Sequence, residues 1–297
     1  MALASPLTGN SKQTDVLNFL EGMNILARQD WMKVYDVRRD DVAGLRISTL
    51  RFGDDIPVWD GDDSVSKETL SDNTSKQIDY IAYAVSVEIG LLQQKDLPGI
   101  VSEVSRKLGQ MVAYKYNSLA MTVFTNAFGS ETTGDTKALI ANDHTGTGGD
   151  NRDNNYTATA LSRTAVFTAM QMMDDFGSYN GSALDYSGGP LCLVVDPLNR
   201  ENAIEILSSN LSGADNQANA LQAGGFNVDL LVSPHVNQSD WFLQTTQPGA
   251  KPLCFWERMS PSFDVLPNDN LSLQLSTSFA VKASPKAEAT GIIGSAV

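Results

Sequence analysis

Residues 98–128 read PGIVSEVSRKLGQMVAYKYNSLAMTVFTNAF, and a long run of strand-like sequence leads directly into them. Apolar side chains recur at Val101, Val104, Leu108, Met111, Val112, Tyr116, Leu119, Val123 and Ala127, the i, i+3, i+4, i+7 steps that lay a stripe along one face of a helix. The ends carry matching signals. Asp96 is placed to cap first-turn amides, Pro98 suits a position whose N–H has no helical partner, and Gly129 offers a left-handed exit. The spacing predicts one rod over Pro98–Phe128, about 46 Å long at about 1.5 Å per residue. Because a mean helix has about 11 to 12 residues, this one is a strut rather than the wall of a pocket.

Upstream of the strut, Gly44 opens the alternating run LRISTLRF from Leu45 to Phe52, the rhythm of a half-exposed strand. A matching strand is expected at Ile78 to Ile89. Between them lie DDIPVWDGDD, Asp54 to Asp63, and a Ser/Thr/Asp-rich stretch, which together read as the far end of a long two-stranded excursion. Such a hairpin is not stable alone in water. It must lie on something, and another copy of the chain is the natural support. Trp59, near the tip, would then serve as an anchor; the alternative is a loop tryptophan folded back on its own hairpin. Residues 1 to about 40 are polar and mixed, with a short amphipathic piece from Val16 to Leu26, and read as an arm.

Downstream, Asn142 to Asn155 (NDHTGTGGDNRDNN) is glycine-rich and polar. Asp143, Asp150 and Asp153 are hard oxygen ligands, yet their spacing is not that of a calcium-binding loop. The glycines are followed by acidic residues, the wrong sign for a phosphate cradle. A solvated loop is expected. A helix follows from about Leu161 to Phe176, with Gly177 as its stop. Leu191–Val195 reads as a buried strand, and Asp196-Pro197 as the cap and opening of a helix carrying Leu198, Ile204 and Leu207 to about Ser209. A Gly/Asn/Ala-rich loop, a strand at Val228–Val232 and the segment Trp241-Phe-Leu243 complete what resembles a compact α/β module inserted into a larger plan. Alternation returns at Leu271, Leu273, Leu275, Phe279 and Val281, with a last strand near Ile292-Ile293.

Composition narrows the function. With 297 residues, 42% of them apolar, two cores or one core with extensions are expected. No stretch approaches the ~18 to 20 apolar residues that cross a bilayer. The start, Met1 to Gly9, lacks the basic and then greasy regions of a signal peptide, so a chain made and kept in the cytosol is expected. Cys192 and Cys254 sit in apolar runs and read as buried, reduced core residues. The net charge of −14 and pI near 4.4, with no basic stripe, disfavour specific nucleic-acid binding. Acidic walls would instead suit a container that does not hold its contents, or solubility alone. The two histidines, His144 and His235, read as surface or turn residues. No H-E-x-x-H, C-x-x-C, G-x-S-x-G, Walker or G-x-G-x-x-G pattern occurs. No catalytic residue, metal or cofactor is therefore assigned, although a carboxylate dyad assembled in space stays open.

The order of these parts resembles the major capsid protein of tailed bacteriophages, and its Mu-like head-subunit branch in particular. The residues that carry the resemblance are Ala84 to Leu97 (AVSVEIGLLQQKDL), Asn142-Asp-His144, Leu191 to Leu198 (LCLVVDPL), Val232-Ser-Pro234 and Trp241-Phe-Leu243. It covers most of the chain from about Arg46 and lies in order and spacing. It implies an α+β tailed-phage capsid fold: an N-terminal arm at 1–40, an extended β-hairpin E-loop at 41–92, a peripheral domain with the spine helix at 93–184, an axial α/β domain at 185–255, and a return to the peripheral domain at 256–297. The same resemblance implies a non-enzymatic shell subunit that self-assembles into hexamers and pentamers around double-stranded DNA held without specific binding, with Ile56, Val58 and Trp59 at the E-loop tip as subunit-interface residues. A separate scaffolding protein, a portal and a decoration protein are the partners it suggests, with assembly in the host cytoplasm and no membrane. A lysine–asparagine crosslink occurs in some relatives; Lys67 and Lys76 lie in the excursion, but none is assigned. Another virion protein, of a tail tube or decoration, and a hydrolase remain the alternative readings.

Overall fold

The computed structural model describes residues 9–26, 30–39, 44–51, 71–145, 151–176, 186–208, 225–268, 272–288 and 290–297. The chain opens with helices α1 (Gly9–Leu26) and α2 (Trp31–Val34) and strand β1 (Tyr35–Arg39). A hairpin of β2 (Gly44–Arg51) and β3 (Ser71–Asp79) follows, then β4 (Ile81–Gly90), a short α3 (Leu91–Asp96) and the long α4 (Ile100–Thr125). The small strands β5 (His144–Thr145) and β6 (Asn151–Arg152) precede α5 (Arg163–Phe176), β7 (Leu191–Val195), α6 (Arg200–Ser208), β8 (Val228–Val232) and β9 (Trp241–Thr245). Two long strands, β10 (Leu253–Asn268) and β11 (Ser272–Pro285), and the short β12 (Ile292–Ser295) complete the fold.

The spine helix is shorter than its periodicity suggests. It runs 26 residues, about 39 Å. Pro98 supplies the reason: proline disfavours helical geometry in the residue before it, and Leu97 adopts φ −125°, ψ 78°. Asp96 therefore closes α3 instead of capping α4, whose N-cap is Gly99 at φ +94°. At the far end the helix stops at Asn126, whose N–H reaches back to the carbonyls of Thr122 and Phe124. Gly129 is not left-handed; its N–H donates to the Asn126 carbonyl in an ordinary turn.

Two four-stranded sheets organise the molecule. The first has the order β1-β10-β11-β4, with β1 parallel to β10 and the rest antiparallel; the second has the order β12-β9-β7-β8, with β7 parallel to β8. The expected strand Ile78–Ile89 is in fact divided between two partners. β3 returns against β2, from Gly44↔Asp79 to Arg51↔Ser71, whereas β4 leaves the hairpin and pairs with β11. The Ser/Thr/Asp-rich text misled because polar residues are acceptable in a strand whose stability comes from its ladder. The last strand, β12, edges the second sheet against β9.

The second sheet is a partition. Cys192, Val194, Phe242 and Ile292 belong to the larger core, where Phe242 meets Phe124 at 5.2 Å and Phe128 at 5.5 Å. Their neighbours Leu191, Leu193, Val195, Trp241, Leu243 and Ile293 face the smaller core, with Ala165, Val166 and Ala169 of α5 and Ala203 and Ile206 of α6. Period-2 alternation sends successive side chains to opposite faces, and both are covered, so β7 reads as an unbroken apolar run. Leu198 and Ile204 were expected on a helix opened by Asp196-Pro197. They are exposed, because Asp196 accepts the N–H groups of Leu198 and Asn199 in a turn and α6 starts only at Arg200, which rotates Ala203 and Ile206 inward.

Phe19, Trp31, Val34 and Tyr35 join the larger core. Trp31 packs on Phe255 at 4.5 Å, and the Tyr35 hydroxyl donates to the Ala120 carbonyl at 2.6 Å. α1 lies on α4, with Phe19 stacked on Phe263 at 4.8 Å. Gly177, most of the loop from Asn210, and Leu271 lie outside the described residues.

Candidate assembly surfaces

β3 alone has nine residues, so the hairpin stretches about 30 Å from its base. Ile56, Val58 and Trp59, and with them Lys67, fall within 52–70 and lie outside the described residues. The base is anchored. Ile78 is buried with Cys254 and Trp256, and Tyr80 packs on the same cluster. The Lys76 ammonium donates to the Thr132 carbonyl; burial pushes its pKa down to about 8, with Glu131 pulling the other way. On β10, Glu257 accepts from Arg39 Nε at 2.8 Å and from the Tyr116 hydroxyl at 3.0 Å, tying β1, β10 and α4 together. Burial first, then this carboxylate, drives the Tyr116 pKa far upward.

Between β4 and α4 the surface opens into an apolar groove of about 620 Å³, floored by Tyr83, Val85, Met111 and Phe279 and bordered by Lys107 and Lys115. Met111 is 55% exposed and Tyr114 60%. Lys115 Nζ stands 4.8 Å above the Tyr83 ring. β4 ends its sheet, and no described strand pairs with its outer edge. Reading Met111 as part of the buried stripe obscured this groove. The signal was present, since Lys107, Met111, Tyr114 and Lys115 stand at i, i+4, i+7 and i+8 on a second stripe beside the buried one. A smaller apolar patch is formed by Pro197, Leu198 (70% exposed) and Ile204 beside α6.

The polar loop before α5 is not simply solvated. His144, expected at the surface or in a turn, is fully buried in β5, with Nδ1 2.8 Å from Asp135 Oδ2 and Nε2 3.3 Å from the Leu139 carbonyl. Asn154, also buried, donates to the Leu139 carbonyl and accepts from the Ala141 N–H, each at 2.8 Å. These side chains satisfy backbone groups that a buried loop would otherwise leave unpaired. Asp143 is paired with Lys137, and Asp153 accepts the Asn155 N–H at 2.7 Å. His235 does occupy a turn, its ring edge-on to Tyr114 at 5.9 Å. Cys192 and Cys254 are buried free thiols, as expected. Among the described residues, no cluster of His, Cys, Asp and Glu is arranged to hold a metal, and no helix is long and apolar enough to cross a membrane.

Comparison with known proteins agrees with this geometry. The sequence matches the family model described as phage capsid protein over residues 81–291, from the first residue of β4 to the residue before β12. No curated protein matches it. The fold is similar to that of a virus-like particle from Pyrococcus furiosus, with TM-score 0.57 and 12% identity over 94% of this chain and 96% of that one. It is also similar to the mature capsid of bacteriophage PhiM1, at TM-score 0.56 and 13% identity over 89% and 86% of the two chains. The capsid of Ralstonia phage GP4 gives TM-score 0.57 and 12% identity over 88% and 86%. At these identities the likeness is one of fold, and no branch of the family is singled out.

Proposed function

The chain belongs to the phage capsid protein family and is a structural subunit of a phage head, and from that premise we propose that it closes an icosahedral shell by forming hexamers and pentamers of itself. The observation that carries this reading is the amount of chain that its own core does not use. A two-stranded hairpin about 30 Å long leads away from a fixed base, and among the described residues an apolar groove beside the outer edge of β4 is left uncovered. A two-stranded hairpin is marginal in water unless it packs on something. Neighbouring copies supply that support when each hairpin is laid over the next subunit in a ring, and closure makes many modest contacts act together. The net charge of −14 favours enclosing DNA without gripping it. No catalytic role is proposed.

Purified full-length protein tests this directly. Negative-stain images and sedimentation are expected to show shells or six-membered rings. A compact monomer at every concentration, or stacked tubes alone, would overturn the proposal. Deleting residues 54–70, which leaves β2 and β3 intact, is expected to give soluble subunits that no longer form shells.

A further inference from the structure

Among the described residues, β10 loses its neighbours on both sides at one point. β1 ends at Arg39, opposite Glu257, and past Glu257 the ladder to β11 slips twice, so that Ser260 and Pro261 have no partner across it. A partly enclosed pocket of about 320 Å³ opens there, distinct from the groove beside β4 and lined from α1, α2, β1, α4 and β10. Strand irregularities of this kind re-aim side chains and recur beside binding sites.

The lining combines three kinds of group. Trp31, Tyr116 and Phe255 form a connected aromatic set, with the Phe255 ring 4.5 Å from Trp31 and 5.4 Å from Tyr116. Leu20, Met23 and Met32 add apolar wall from the two N-terminal helices. Among them Glu257 places a carboxylate that is only 7% exposed. It accepts from Arg39 and from Tyr116, yet a carboxylate offers about four acceptor positions, so it has capacity for another donor. The Arg39 side chain is 77% exposed, and water screens its charge far more than that of its partner.

Buried carboxylates and aromatic rings both attract cations. An anion entering the pocket would meet Glu257 with only a screened Arg39 to offset it, and a purely apolar molecule would leave the carboxylate's spare capacity unused. From this chemistry we propose that the pocket is a binding site for an alkylammonium, a ligand with a primary ammonium head and an apolar tail. The head donates to Glu257 beside the aromatic set, and the tail lies along Leu20, Met23 and Met32. An apolar cavity with a few convergent polar groups is the usual form of a small-molecule site, and the net charge of −14 raises the local concentration of cations. An occupant would tie α1, α2 and β1 to α4 and β10. The site lies within one copy of the chain, so it does not rest on the reading of the protein as a shell subunit.

Equilibrium dialysis of the full-length protein against n-hexylammonium tests the site, with 1-hexanol and hexanoate as matched neutral and anionic probes. Saturable binding of one hexylammonium per chain is expected, at least tenfold tighter than either other probe, with slower amide exchange in α1 and α2 when it is bound. Glu257→Gln should weaken hexylammonium at least tenfold and bring it level with hexanol. Met32→Trp, at a partly exposed lining position, should fill the pocket and abolish binding while leaving Glu257 in place, which keeps the test decisive if the glutamine variant does not fold. Tyr114→Ala, in the groove beside β4, should change nothing. The proposal is overturned by the absence of saturable binding, by hexanol or hexanoate binding as tightly as hexylammonium, or by equal binding to the unmodified protein and Met32→Trp. Loss of binding in Tyr114→Ala would overturn it too, by moving the site to the other groove.

Discussion

Gly109 of the spine helix lies directly beneath the Phe19 carbonyl of α1, so close that a Cβ at position 109 would stand 2.0 Å from that oxygen. Gly22 is in the same position against the Arg106 carbonyl, again at 2.0 Å. The two helices meet backbone to backbone, and only glycine at these points permits it. Gly109→Ala forces them apart. Overpacking costs about 1–3 kcal/mol, whereas the helix regains at most about 1 kcal/mol from losing its glycine. The expected outcome is a lower urea midpoint with faster amide exchange in α1. Gly129→Ala, with nothing within 4 Å, should leave both unchanged.

Asp135 predicts an acid limb. Its carboxylate is 5% exposed. Burial would raise its pKa, but hydrogen bonds from His144 and Thr133 outweigh this and hold it at about 2. A carboxyl depressed on folding stabilises fully above its unfolded value near pH 4 and loses that contribution as pH falls toward 2. About 2 to 3 kcal/mol is at stake. Urea unfolding followed from pH 5 to pH 2 should show this loss, and Asp135→Asn should flatten it while being less stable at pH 7.

Lys76 acts in the opposite pH range. Its amine is lowered to about 8 by burial. Between pH 8 and about 10.5 the unfolded chain binds the extra proton, so stability rises with pH across that window. Denaturation curves for Lys76→Met should lack this rise. An identical slope in the two proteins would refute the assignment.

The thiols should be silent in the folded state. Burial pushes Cys192 and Cys254 up to about 12, so neither presents a thiolate at neutral pH. Labelling with a maleimide at pH 7.5 is expected to modify neither in native protein and both in denaturant. Rapid native labelling would mean that the partition sheet or the hairpin base opens.

Elements were legible wherever successive residues carry the pattern. The stripe from Val101 to Val123 marked α4, and the apolar run at 191–195 marked β7, because helical and strand periods are written locally. The same locality explains the errors. Leu97 ends α3 because of a proline beside it, yet the apolar stripe continues through the break and hid it. β10, sixteen residues long, escaped notice because a register irregularity between Glu257 and Ser262 interrupts its alternation. Tyr114 was legible as an aromatic off the buried stripe, but its exposure depends on what does not cover it.

Taken alone, the order of amino acids determined that this chain is α+β, that it carries a long strut and a projecting hairpin, and that its two cysteines are core residues. Those properties follow from period, turn chemistry and apolar content, each readable within a few neighbouring residues. Only the tertiary structure decided which strand lies beside which. β4 finds β11 almost two hundred residues away, β12 joins the second sheet, and His144 is drawn from a polar loop into full burial by Asp135 and Leu139. Burial and pairing depend on groups distant in the chain, whose meeting is selected by the packing of the whole molecule.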